Sequence, residues 1–135
     1  MDKNREHSPV LTVDIGGTKI ASAVIGWGGI ILAKARGATP ESTDEVDLVD
    51  AVERVARQAL VQAGVDLAAT DAVGVSCAGI INTSTGVVVY SPNVDALRRT
   101  PLRMLLSQRF GVAVEMANDA TLAARGEGDY GLHRS

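Results

Sequence analysis

Six residues, Asp14-Ile15-Gly16-Gly17-Thr18-Lys19, stand between the apolar runs Val10 to Val13 and Ile20 to Ile25. That order predicts a strand, a tight glycine turn and a second strand. Adjacent glycines let backbone N–H groups come close to a ligand that a Cβ would hold off. The acid, hydroxyl and lysine around them suit a phosphate with its metal ion. The spacing G-x-x-x-x-G-K-[ST] is absent, and a strand follows the turn where the common phosphate loops have a helix. Asp14 would repel a bare phosphate, so it should act through a magnesium ion or that ion's water shell. The same hexapeptide also reads as a plain hairpin, because Gly-Gly between apolar runs makes a good two-residue turn. On local grounds both readings stand.

The rest of the chain limits what this turn belongs to. Its 135 residues suit one compact domain, residues 9–135, behind a polar tail, residues 1–8. Hydrophobic residues make up 46% and aromatics only 3%, so the core must come from Val, Ile, Leu and Ala. That composition favours strands covered on their faces by closely packed helices, an α/β layer structure. A net charge of −3 gives no general attraction for nucleic acid or anionic lipid. Arg98, Arg99, Arg103 and Arg109 gather in one segment, which reads as the solvated face of a helix and receives no partner. Cys77 is the single cysteine, which excludes an intrachain disulfide and fits a reducing, cytoplasmic setting. No signal-like or membrane-length apolar run occurs, so no membrane partner is expected.

Further along, Gly26 to Gly29 predicts a turn and Ile30 to Ala35 a third strand, giving three consecutive antiparallel strands. Ser42-Thr43-Asp44-Glu45 carries a capping-box pattern, and Val49, Val52, Ala56, Ala59, Leu60 and Ala63 recur at helical spacing up to Gly64. Asp71 to Ser76 reads as a strand with Cys77-Ala78-Gly79 at its carboxyl end, where open α/β sheets place ligands. Cys77 itself reads as a small buried hydrophobe. A turn at Asn82-Thr83-Ser84-Thr85 precedes a short strand, Gly86 to Tyr90, which delivers Ser91-Pro92-Asn93 into a loop. Thr100-Pro101 opens a helix with Leu102, Leu105 and Leu106 on one side, closed by Gly111. Val112 to Met116 is a strand running into Asn118-Asp119, the start of an alanine-rich helix to about Arg125. Asp119, at a strand-to-helix junction, is placed to stay ionised as a general base, yet it or Asn118 also reads as an ordinary helix cap. Asn93 is either a reader of hydroxyls or plain turn chemistry. Glu127 shares the Asp119 face only if the helix continues past Gly126.

Taken in order, Val13-Asp14-Ile15-Gly16-Gly17-Thr18-Lys19, Gly74 to Gly79, Ser91-Pro92-Asn93, Pro101-Leu102, Phe110-Gly111 and Ala117-Asn118-Asp119-Ala120 resemble the amino-terminal domain of the ROK family of sugar kinases and sugar-responsive repressors. The resemblance covers nearly the whole chain. It implies an actin/hexokinase-like (ribonuclease H-like) α/β domain, a mixed sheet with a three-stranded antiparallel start and flanking helices. It also implies that Asp14, Gly16, Gly17, Thr18 and Lys19 form the first phosphate-binding turn for ATP with Mg2+. Gly79, Asn93, Asn118 and, more weakly, Glu127 would line a pocket for a hexose or N-acetylhexosamine, and Asp119 would be the catalytic base. Ala78, Ile80, Asp95-Ala96-Leu97 and Ala117 depart from the common pattern, which bears on sugar preference.

The family's carboxyl-terminal domain, with its structural zinc, second phosphate motif and adenosine pocket, is expected to lie outside this chain. By that expectation the isolated chain turns over little, leaves apolar surface uncovered, and forms a homo-oligomer or pairs with a carboxyl-terminal half. Two alternatives remain. One is a noncatalytic sugar-sensing module of the same family, against which the retention of Asp14 and Asp119 argues, as does the shortness of the segment before the first strand, too short for a helix-turn-helix. The other is a nucleotide-binding fold serving a different phosphoryl acceptor.

Overall fold

The computed structural model describes residues 8–77, 80–82, 84–90 and 99–117. In chain order the elements are β1 (Val10–Ile15), β2 (Lys19–Ile25), β3 (Ile31–Ala38), α1 (Glu45–Ala63), β4 (Ala72–Cys77), β5 (Ile80–Asn82), β6 (Val87–Tyr90), α2 (Leu102–Phe110) and β7 (Val114–Ala117). Five strands form one sheet in the order β3-β2-β1-β4-β7, and β5 with β6 forms a separate antiparallel pair. The strands β1, β2 and β3 are a meander of antiparallel neighbours, whereas β1, β4 and β7 run parallel. β1 is therefore the strand at which the sheet changes from antiparallel to parallel pairing.

Alternation explains how the sheet is covered. Leu11, Val13 and Ile15 of β1, Ile20 and Val24 of β2, and Val73, Val75 and Cys77 of β4 are all buried, while Asp14, Lys19 and Ala21 are exposed. Period-two burial of this kind sends one set of side chains to the helices and the other to the opposite face. Against the first set lie Leu48, Val52, Val55, Ala56 and Ala59 of α1 and Leu102, Leu106 and Phe110 of α2. Cys77, 2% exposed, is part of this core, as its sequence setting implied.

Local chemistry sets the ends of the helices. The Asp44 carboxylate accepts the Val46 N–H at 2.9 Å, and the Ser42 hydroxyl accepts the Asp44 N–H at 2.9 Å. Glu45 is thus the first helical residue and cannot be the third-position partner of a capping box. An aspartate cap two residues after Ser42 takes that role instead. At the other ends, Gly64 and Gly111 adopt left-handed φ values of 67° and 73° and close α1 and α2.

Two expectations need correction. β3 continues three residues past Ala35, since Arg36, Gly37 and Ala38 pair with Ala21, Ile20 and Lys19. Gly and Ala carry little strand signal of their own, so here the neighbouring strand sets the length. Of the four arginines, Arg103 and Arg109 are not simply solvated, Arg99 is exposed ahead of α2, and Arg98 lies outside the described residues. Arg109 donates to Asp50 at 2.5 Å and to Glu53 at 3.1 Å, joining α2 to α1, and Arg103 donates to the Ser84 carbonyl at 3.0 Å. The hydrogen bonds that Arg109 donates to Asp50 first, then to Glu53, push the guanidinium pKa above its ordinary value. The 82–85 turn is present, with Asn82 Oδ1 accepting the Ser84 and Thr85 N–H groups at 3.0 and 3.3 Å. The short strand β5 before it was not foreseen. Among the described residues no helix is long and apolar enough to cross a membrane.

Candidate active site

Asp14 is the fifth residue of β1, and the turn follows two residues later. The pairing Ile15↔Ile20, together with the bond from the Gly16 N–H to the Lys19 carbonyl at 2.9 Å, leaves Gly17 and Thr18 at the tip. The tip is therefore Gly-Thr, one residue later than a Gly-Gly turn would be. Gly16 serves a different need: a Cβ on it would lie 2.9 Å from the Lys19 carbonyl oxygen, inside contact distance. A side chain at that position would spread the hairpin at its base. The turn is thus a narrow cradle of backbone, with Gly17, Thr18 and Lys19 exposed around it.

Two residues that the sequence reading gave no role hold this cradle. Thr39, directly after β3 and 7% exposed, donates its hydroxyl to the Gly16 carbonyl at 2.8 Å and its N–H to the Thr18 carbonyl at 3.0 Å. Ser76 of β4, 3% exposed, donates its hydroxyl to Asp14 Oδ1 at 3.1 Å. Thr39 could have been found by counting back across the meander, because pairing Lys19 with Ala38 brings residue 39 alongside Thr18. Ser76 could have been found from the parallel register that sets it directly beside Asp14.

That register also defines an edge. Asp14, Ser76 and Ala117 are partners across β1, β4 and β7, so the carboxyl ends of three parallel strands open side by side. Ligands of open α/β sheets bind at such carboxyl ends. Of the residues singled out for chemistry, the structure brings Asp14, Gly16, Gly17, Thr18 and Lys19 together at this edge. Gly79, Asn93, Asn118, Asp119 and Glu127 lie outside the described residues.

The donor set at the turn fits a hydrated divalent ion better than a caged one. Among the described residues no three His, Cys, Asp or Glu side chains come together. One carboxylate beside a glycine cradle suits magnesium that keeps most of its water and is shared with phosphate oxygens.

A model of the ROK family matches residues 10–134. The chain belongs to the ROK family. It is 38% identical over 119 residues to a glucokinase of Streptomyces coelicolor, an alignment covering 88% of this chain and 35% of that protein. Among solved structures, a ROK hexokinase from Thermus thermophilus superimposes with a TM-score of 0.77 at 32% identity, covering 88% of this chain and 38% of the other. A ROK glucokinase from Streptomyces griseus in complex with glucose and AMPPNP gives 0.76 at 37% identity, covering 91% and 37%. The fold is therefore that of the ROK hexokinases. This ROK chain spans little more than a third of the length of these relatives.

Proposed function

We propose that this ROK chain supplies the phosphate turn and the catalytic base of an ATP-dependent hexose kinase. The observation that carries the proposal is the register Asp14–Ser76–Ala117. It sets the phosphate turn at the end of β1 beside the ends of β4 and β7, and the sequence runs on from those strands into Ala78-Gly79 and Asn118-Asp119. Gly17, Thr18 and Lys19 cradle the phosphates of the donor nucleotide, and Asp14 would hold a hydrated magnesium ion beside them. The ion, when bound, neutralises charge on the phosphate oxygens. Gly79, Asn93, Asn118 and Glu127 orient the sugar hydroxyls. Asp119 accepts the proton of the attacking hydroxyl as the γ-phosphoryl group transfers in line. Orientation supplies most of the acceleration, because no covalent enzyme intermediate has to form. The names of the ROK relatives, a glucokinase crystallised with glucose and AMPPNP among them, support a hexose and ATP as the substrate pair.

The test is ADP release from magnesium-ATP with a panel of hexoses and N-acetylhexosamines. It is run on the 135-residue chain and on the longest natural product that contains it, each beside Asp119→Asn. Turnover in the longer product, lost in Asp119→Asn, is the expected result. A folded longer product that releases no ADP with any sugar would overturn the catalytic assignment and leave a sugar-sensing module as the better account.

A further inference from the structure

We infer that Thr39 is a positioning residue that aims the amides of the phosphate turn at the anion. The inference rests on the turn being a phosphate site. Its geometry comes from two peptide planes. The carbonyl of Gly16 is taken by the Thr39 hydroxyl at 2.8 Å, and the carbonyl of Thr18 by the Thr39 N–H at 3.0 Å. Among the described residues every peptide bond is trans. In a trans peptide the N–H points opposite to the carbonyl of the same plane. The plane that shares the Gly16 carbonyl carries the Gly17 N–H, and the plane that shares the Thr18 carbonyl carries the Lys19 N–H. By holding both carbonyls on the β3 side, Thr39 turns both N–H groups the other way. Successive amides with a common direction form an anion-binding concavity. Neither the Gly16–Lys19 bond nor the Thr39–Thr18 bond uses these two donors.

The arrangement is specific to a hydroxyl-bearing side chain. Thr39 is 7% exposed and its bond to Gly16 is partly buried, so solvent competes with that bond less than it would at the exposed tip. In a regular two-residue hairpin the Gly16 carbonyl would receive the Lys19 N–H, completing the pair begun by the Gly16 N–H. Here that carbonyl accepts the Thr39 hydroxyl and no bond from the Lys19 N–H to it is formed, so on this inference the Lys19 N–H serves a ligand. A valine would fill the same space without the bond. The Gly16 carbonyl would then be available to the Lys19 N–H, and the cradle would lose one of its two donors.

The experiment follows the 15N-labelled 135-residue chain by amide NMR during titration with magnesium-AMPPNP. Wild type, Thr39→Val and Thr39→Ser are compared. In wild type the Gly17 and Lys19 amides should be among those that move most. Thr39→Val should bind about tenfold more weakly, the worth of one well-placed hydrogen bond, with α1 and β4 amides unshifted. Thr39→Ser should return the affinity to within about twofold of wild type, because it restores the hydroxyl alone. If Thr39→Val does not fold, Thr39→Ala, which has no bulk to misplace, takes its place. A Thr39→Val chain that binds like wild type with the same amide responses would overturn the inference and leave the phosphate site standing. A wild-type turn that ignores the nucleotide while the chain is folded would overturn the phosphate site and the inference with it.

Discussion

Replacing Gly37 by alanine tests how closely α1 rides on the sheet. A Cβ built at Gly37 lies 2.8 Å from Cγ2 of Val55. Ordinary carbon contacts lie at about 3.5–4.0 Å, so the new methyl is about 1 Å too close. Val55 cannot swing away, because a helical valine is held to one χ1 rotamer and this one is 2% exposed. Overpacking of this kind costs about 1–3 kcal/mol, against which replacing a strand glycine returns about 0.5–1 kcal/mol. The expected net loss is about 1.5 kcal/mol. With a urea slope of about 1.5 kcal/mol/M, the midpoint should fall by about 1 M. Val55→Ala removes the methyl that Gly37→Ala strikes and on its own costs about 2 kcal/mol in lost burial. In the double variant the new methyl occupies part of the vacated space, so its loss should be about that of Val55→Ala alone or less. The coupling between the two sites is then about 1–2 kcal/mol, read from urea titrations of the four proteins. Additivity within about 0.5 kcal/mol would refute the close contact, since that is the behaviour of sites that do not touch.

Asp44→Ala should cost about 1 kcal/mol, since it orphans the Val46 N–H that the carboxylate accepts, while Asp44→Ser should keep most of the stability; urea midpoints decide. Arg109→Gln breaks the bridge from α2 to Asp50 and Glu53, and its stability difference from wild type should shrink as NaCl is raised towards about 1 M, because partly exposed pairs are screened. Trp27, Ile30, Ile31 and Leu32 are 62%, 62%, 51% and 47% exposed at the end of the meander away from the Gly16–Lys19 turn. Self-association should therefore weaken in an Ile31→Lys, Leu32→Lys variant, and a wild-type chain that stays a monodisperse monomer by light scattering at high concentration would contradict this.

How far the sequence disclosed this arrangement depends on the range of the interactions involved. β1, β2, α1 and β4 were legible because their signals are local: apolar runs, helical spacing and glycine punctuation, with Gly64 closing α1 where expected. The end of β3 was not legible, because Arg36-Gly37-Ala38 has little strand preference and is extended by its pairing to β2. β5 escaped for a different reason: Ile80 to Asn82 is only three residues long, too short for an alternation to show, although isoleucine favours strands. Within the site, the turn from Asp14 to Lys19 announced itself through its residue types. Thr39 and Ser76 did not, since a threonine 23 positions from Gly16 and a serine 62 positions from Asp14 become partners only once strands are registered. Arg109 was misjudged because its partners, Asp50 and Glu53, sit on another helix, and Arg103 because it reaches across to the Ser84 carbonyl, 19 positions away.

Under the kinase proposal, the mixed sheet is what would allow a backbone site and a side-chain site to share one edge. A purely parallel arrangement would carry the chain from β1 into a long crossover, since parallel neighbours cannot be joined by a short turn. The antiparallel β2 lets the chain reverse at once, and a reversal of that length presents backbone N–H groups at the carboxyl end of β1. On the other side of β1, the parallel β4 and β7 end at the same level and lead into segments that carry Gly79 and Asn118-Asp119 in the sequence. Small residues at the registered positions keep that edge open. Asp14 has Ala21 on one side and Ser76 on the other, and a long side chain at either position would crowd the carboxylate. Ser76 adds a donor to its small size, holding Asp14 Oδ1 at 3.1 Å. Under the kinase proposal this divides the labour: β1 and β2 meet the phosphates with amides and one carboxylate, and the ends of β4 and β7 meet the acceptor with side chains. β1, where the sheet changes direction, belongs to both halves, and that is why the phosphate turn has to follow this strand and no other.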